Sequence, residues 1–142
     1  MTTFLLKTEP GDYSYADLER DGSTVWDGVT NAAACQVLRT AAPGDEALIY
    51  HTGSEKRVAG LARVTSEPRP DPSSPGETAK GEMKHPVFDI EPVAASSSGE
   101  ATLAAIKADG RFADFALVRQ PRLSAMTVPA KLDRIIRKMA GL

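Results

Sequence analysis

Hydrophobic positions along the chain change their period several times, and each change marks an element. Phe4-Leu5-Leu6 is a short apolar run that ends at Pro10-Gly11, the length of a strand followed by a turn. From Ala47 to Thr52 the period is two, with Leu48, Tyr50 and Thr52 on one face and Ala47, Ile49 and His51 on the other. Gly53-Ser54 turns the chain, and residues 57–65 return as the second arm of a β-hairpin. Residues 87–91 resume the alternation, and 115–118 and 123–126 are two further short strand candidates. Elsewhere the signals are helical. Ser14 and Asp17 form a capping-box pattern ahead of Leu18, which predicts a brief helix over 14–20. Asn31 precedes the helix formers of 32–39, stopped by Pro43-Gly44, and is the expected N-cap. A short helix is expected near 103–106. Pro129 opens a last helix in which Leu132, Ile135, Ile136 and Met139 recur at i, i+3, i+4 and i+7.

Two stretches fit neither period. Residues 66–86 carry five of the ten prolines, and we expect a long surface loop there, either mobile or a lid. Residues 94–99 form a second loop. The sum is an α+β domain with about five or six short strands in a curled or barrel-like sheet, small helices at both ends and no internal repeat. A length of 142 residues suits one domain over 1–142, in which about two-thirds of the chain's surface can be buried.

Composition narrows the class. Hydrophobic residues at 42% and charged residues at 25% exclude wholesale disorder and a fibrous protein. Cys35, the single cysteine, excludes an intrachain disulfide and a cysteine-rich zinc site. No apolar stretch reaches membrane-spanning length and the start lacks a signal-peptide pattern, so a cytoplasmic location and no membrane partner are expected. The net charge of −2 hides an asymmetry. Residues 119–142 hold Arg119, Arg122, Lys131, Arg134, Arg137 and Lys138 against Asp133, a local +5, leaving 11 basic and 18 acidic side chains in the first 118 residues. The basic segment is either a solvated helix face or a surface for phosphates.

Signatures of catalysis are missing: there is no Gly-x-Gly-x-x-Gly, Walker loop, Gly-x-Ser-x-Gly or His-Glu-x-x-His. His51 and His85 alone cannot build a multi-histidine metal site, and no cofactor is expected. Cys35 among alanines reads as helix packing. What stands out is polar and aromatic side chains at element ends: Lys7-Thr8-Glu9-Pro10, Tyr13-Ser14, Trp26-Asp27-Gly28-Val29-Thr30-Asn31 and Tyr50-His51-Thr52. The single tryptophan sits beside a turn-forming Asp-Gly pair, not inside an apolar run.

These segments, together with Gly44-Asp45, Val58-x-Gly60-x-Ala62 and Val118-Arg119-Gln-x-Arg122-Leu123-Ser124, resemble the EVE domain family in order and spacing from about residue 3 to residue 138. That family includes a eukaryotic thymocyte nuclear protein and many small stand-alone bacterial proteins. The resemblance implies a PUA-like fold, a curled β-barrel with short peripheral helices. It also implies kinship with YTH domains, which bind modified adenine in RNA, and with domains that bind a flipped modified cytosine in DNA. The implied role is a non-enzymatic reader of a modified nucleobase in DNA or RNA. Thr30, Ala33 and Cys35 stand where family members commonly carry Arg, Gln and Arg, which weakens a phosphate contact at that helix.

The expected pocket is formed by residues 7–14, 26–31, 50–52 and 122–124. Extracting a base costs a few kcal/mol of stacking, and an aromatic face returns about 1–3 kcal/mol. Trp26, clear of the core, and Tyr50 would supply the faces. Glu9, Ser14, Asn31, Thr52 and Ser124 would meet the base edge, with His51 either a pocket donor or a structural histidine. Lys7, Arg119, Arg122, Arg134 and Arg137 would meet phosphate. The rival readings are a pocket for a small metabolite, and an enzyme acting on a nucleotide with Glu9 or His51 as general base.

Overall fold

A computed structural model describes residues 1–142. Its strands, in chain order, are β1 (Thr3–Thr8), β2 (Thr24–Trp26), β3 (Glu46–His51), β4 (Arg57–Val64), β5 (Arg69–Pro70), β6 (Pro86–Ala95) and β7 (Ala125–Thr127). They form one curled mixed sheet in the order β2-β6-β4-β3-β1-β7, with β5 attached to β6 off that path. β1 runs parallel to β3 and antiparallel to β7. A parallel pair needs a crossover, and the connection carries α1 (Tyr15–Asp21), β2 and α2 (Ala32–Leu38). The later helices are α3 (Leu103–Ala108), α4 (Ala116–Arg119) and α5 (Ala130–Ala140), with a 3-10 turn at Gly110–Phe112. No helix is long and apolar enough to cross a membrane.

The central strands are buried on both faces, so their side chains divide into two cores. Phe4, Leu6, Ala47 and Ile49 face Leu18 of α1 and Leu38 of α2. Leu5, Leu48 and Tyr50 face Ile106, Phe112, Leu117 and Ile136 from the second set of helices. The alternation read from residues 47–52 is the alternation observed. β-bulges between Ile49 and Tyr50 and between Leu61 and Ala62 bend the sheet. At Gly60, a Cβ would lie 2.5 Å from the Tyr15 ring, whose hydroxyl donates to the Leu61 carbonyl at 2.6 Å. Glycine at this point lets α1 close onto the bent strand.

Local expectations hold at the caps. Ser14 and Asp17 complete the capping box of α1, and the Asn31 Oδ1 accepts the Ala34 N–H at 3.0 Å at the start of α2. Three expectations fail. Residues 115–118 are not a strand: four apolar positions cannot fix a period, and packing of Phe115 against Phe112, 5.9 Å between ring centroids, starts α4 instead. The 94–99 loop begins later than expected because β6 continues to Ala95, paired with Gly60. Residues 66–86 are not a free loop. β5 pairs with β6, Arg69 bonds Asp89 at 2.9 Å, and Arg39 reaches across to the Met83 carbonyl at 2.7 Å. The prolines exclude long ladders, but side chains and short bridges tie the segment down.

Candidate functional site

Where edge strand β2 comes round towards the end of β1 and the residue before β7, the curled sheet leaves a cavity of about 530 Å³. This volume lies within the range of about 300–1,000 Å³ typical of ligand pockets. Lys7, Thr8 and Ser124 line it from one edge, and residues 24–31 from the other, with Tyr13 between.

Trp26 is the centre of the site. Its pairing with Phe88 places the ring in the first core, and the residue is only 7% exposed. This corrects the expectation of an indole clear of the core: the residue packs in the first core and also lines the cavity. The indole N–H belongs to the small part that stays accessible. It makes no hydrogen bond within the protein, and no buried side-chain polar atom lacks a partner, so this donor reaches solvent. Two residues after Trp26, Gly28 has φ +77°, a left-handed conformation that glycine adopts without strain. That turn allows residues 27–31 to wall the cavity before α2 begins.

The other polar groups differ in how far the fold has used them. Asn31 spends its Oδ1 on the helix cap, while its amide N–H groups have no protein partner. Asp27 is exposed and Ser124 half-buried; neither side chain makes a hydrogen bond in the protein. Lys7 donates to the Pro121 carbonyl at 2.9 Å, and burial pushes its ammonium below the usual lysine range. Tyr13 donates to Asp21 at 2.9 Å, and burial raises its hydroxyl. An aromatic wall from Trp26 and Tyr13, with donors from Trp26 and Asn31 and acceptors from Asp27, suits a flat heterocycle with a mixed donor and acceptor edge. No group of three or more His, Cys, Asp or Glu side chains is placed to hold a metal ion.

Of the sequence-derived candidates, Lys7, Trp26, Asn31 and Ser124 converge on this cavity. Arg122 lines a shallow depression next to Asn31. Tyr50 is buried in the second core, on the opposite face of the sheet from Trp26, so the two rings do not share a pocket. Thr52 lines the groove on the Tyr50 side, and its hydroxyl lies 3.3 Å from the exposed Glu9. Ser14 and His51 occupy a separate corner. There the His51 Nε2 accepts the Tyr15 N–H at 3.0 Å, which places the ring hydrogen on Nδ1, 3.0 Å from Glu55. With that lone pair committed, His51 is a structural histidine and does not present a base to the cavity.

Arg137 is also committed, to Asp133 at 2.8 Å and Glu46 at 3.0 Å, tying α5 to β3. Arg134 is exposed on α5, which lines none of these depressions, and Arg119 is exposed beside Asp114. Cys35 donates to the Val29 carbonyl at 3.3 Å, and burial raises its thiol, as packing requires. Sequence reasoning missed Thr8, Tyr13, Thr24 and Asp27 as individual wall residues. The visible signal for Tyr13 and Asp27 was their place in the polar segments at element ends.

A family model of the EVE domain matches residues 2–139. The chain belongs to the EVE domain family. Human thymocyte nuclear protein 1 is 35% identical over 80 residues, which cover 48% of this chain and 36% of that protein. This EVE chain therefore matches about a third of the length of that relative. The solution structure of Rpa0253 from Rhodopseudomonas palustris is 33% identical with a TM-score of 0.87, covering 99% of this chain and 94% of that one. Human THYN1, solved in complex with DNA containing 5-methylcytosine, is 23% identical with a TM-score of 0.83, and each chain is covered to 98%. The YTH domain of Zygosaccharomyces rouxii MRB1, solved with N6-methyladenosine RNA, is 17% identical with a TM-score of 0.53, covering 96% of this chain and 84% of that one. These likenesses place the EVE chain among PUA-like folds.

Proposed function

We propose that this EVE chain acts as a single non-enzymatic domain that holds one modified nucleobase of DNA or RNA in the seam cavity, and that it does so in the cytoplasm. The observation that carries the reading is the nearly buried Trp26, with its indole N–H unbonded, lining a cavity whose Asn31 amide and Asp27 carboxylate are not consumed by the fold. Stacking on such a face contributes about 1–3 kcal/mol, enough to offset much of the cost of extracting a base. Hydrogen bonds at the edge then select the base. Two fold neighbours, one solved with 5-methylcytosine DNA and one with N6-methyladenosine RNA, agree with this class of ligand.

The test is a panel of modified and unmodified nucleosides and short oligonucleotides, read by quenching of the single tryptophan. One modified base should quench and bind selectively. Asn31→Ala should erase that selectivity and cost about 1 kcal/mol of stability through the lost cap. Equal binding of every base, or none, overturns the reading.

A further inference from the structure

Three depressions meet on one side of the protein. The seam cavity shares Asn31 with the shallow depression of Gln120 and Arg122, and shares Lys7 with a groove of about 300 Å³. The two smaller depressions share Pro121, the residue whose carbonyl holds the Lys7 ammonium. The groove therefore begins at the wall of the cavity and continues on the Tyr50 side of the sheet.

Its lining is unusual for a chain of net negative charge. Lys7, Lys56 and Lys107 border it, and no carboxylate does. All ten ion pairs of the protein use arginines or His51, and none uses a lysine. The carboxylate behind Gly53, Glu9, is occupied by the Gly11 N–H and the Thr52 hydroxyl. Lys7 stands 5.9 Å from the Tyr50 ring centroid, a half-buried cation without an anion.

The other two lysines are positioned by the backbone. Lys56 is the one non-glycine residue with positive φ, at +45°, a conformation that costs energy and is retained where the surrounding structure holds it. Its carbonyl accepts the Leu103 N–H at 2.8 Å, fastening the turn before β4 to the first residue of α3, and Lys107 lies in the last turn of the same helix. The turn thus fixes the backbone of Lys56 against the helix that carries Lys107.

We propose that this groove carries the sugar–phosphate backbone of the strand whose base occupies the seam cavity, with phosphates on Lys56 and Lys107 to one side of Lys7 and on Arg122 to the other. The inference rests on the base-binding reading of the cavity. It replaces α5 as the phosphate surface, since Arg137 is neutralised by Glu46 and Asp133 and α5 borders none of the three depressions.

The experiment measures binding of a single-stranded heptanucleotide with one central 5-methylcytosine, its unmodified twin and free 5-methyl-2′-deoxycytidine across a salt series. Each phosphate contact on a single strand contributes about 0.7 to the slope of log K against log salt, or about fivefold in affinity at 0.1 M. The double variant Lys56→Gln with Lys107→Gln should lose about 25-fold for both heptanucleotides and lower the slope by about 1.4, with free-nucleoside affinity and thermal midpoint unchanged. Lys131→Gln with Arg134→Gln should change none of these. An unchanged heptanucleotide slope in the first variant, or a loss confined to the second, overturns the groove. A wild-type protein that binds neither heptanucleotide overturns it as well. Equal binding of both heptanucleotides, with the slope still falling in the first variant, upholds the groove and removes the base-specific reading instead.

Discussion

The seam cavity and the His51 corner contain the same kinds of residue, and their difference lies in what the fold has already used. Around His51, the imidazole accepts from Tyr15, bonds Glu55, and Glu55 in turn meets Arg57 at 3.1 Å. Ser14 accepts the Asp17 N–H, and Asp17 returns a bond to the Ser14 N–H. Every polar side chain there except the exposed Glu19 has an internal partner. In the seam cavity, Trp26, Asp27, Asn31 and Ser124 retain donors or acceptors with none. A chemically promising side chain becomes a candidate ligand contact only when folding leaves its hydrogen-bonding capacity unspent.

The largest expected effect comes from Trp26, which belongs to core and cavity together. Trp26→Ala should abolish base binding measured by isothermal titration and cost about 3–5 kcal/mol of stability, as for other buried aromatic truncations. Trp26→Phe sharpens the distinction by keeping an aromatic ring and removing the N–H. Chemical denaturation should show a cost below about 1.5 kcal/mol, while isothermal titration shows weakened base binding. If Trp26→Phe binds as tightly as the wild type, the indole donor is not part of recognition.

His51→Ala should behave in the opposite sense. Leaving the Tyr15 N–H without its acceptor costs about 1–3 kcal/mol, yet the folded fraction should bind ligand with unchanged affinity. Binding measured well below the melting temperature separates the two outcomes, and a selective affinity loss would erase the contrast between the regions.

The smallest effect concerns pH. The hydrogen bond from His51 holds the Glu55 carboxyl below the usual glutamate range, with burial opposing and Arg57 assisting. Because the folded value lies below the unfolded one, near 4.3, this contribution is present above that pH and is lost as pH falls through the folded value. The melting temperature of Glu55→Gln should therefore trail the wild type by no more than about 3 °C near neutrality, converging with it in acid. Ligand affinity should not follow this difference.

The strands with long patterns were legible because period two survives burial on both faces: residues 47–50 sort correctly onto the two cores. The same alternation already separated Tyr50 from His51. What it could not give was the position of Trp26, since β2 has three residues and is defined by its pairing with β6 rather than by any pattern of its own. Asn31 was legible as a cap because capping is local. The engagement of Arg137 with Glu46 was not, because the partners lie on α5 and β3 and only the tertiary fold brings them to 3.0 Å. Likewise, the proline-rich composition of 66–86 excluded a ladder but carried no information about Arg39 reaching the Met83 carbonyl.

The place of β1 between β3 and β7 has a consequence for how the molecule comes into being. Lys7 and the Pro121 carbonyl that holds it are 114 residues apart in sequence. Contacts of such high order form late, because the entropy of closing a long loop must be met before they contribute. During synthesis, the first strand leaves the ribosome long before its C-terminal neighbour exists, with one edge uncovered and prone to pairing with another chain. A nascent chain can gather much of the first core around α1 and α2, but Ala125 completes that core and Ser124 the pocket only when the segment through Thr127 has emerged and added to β1. Recognition is thereby confined to molecules whose two distant ends have met.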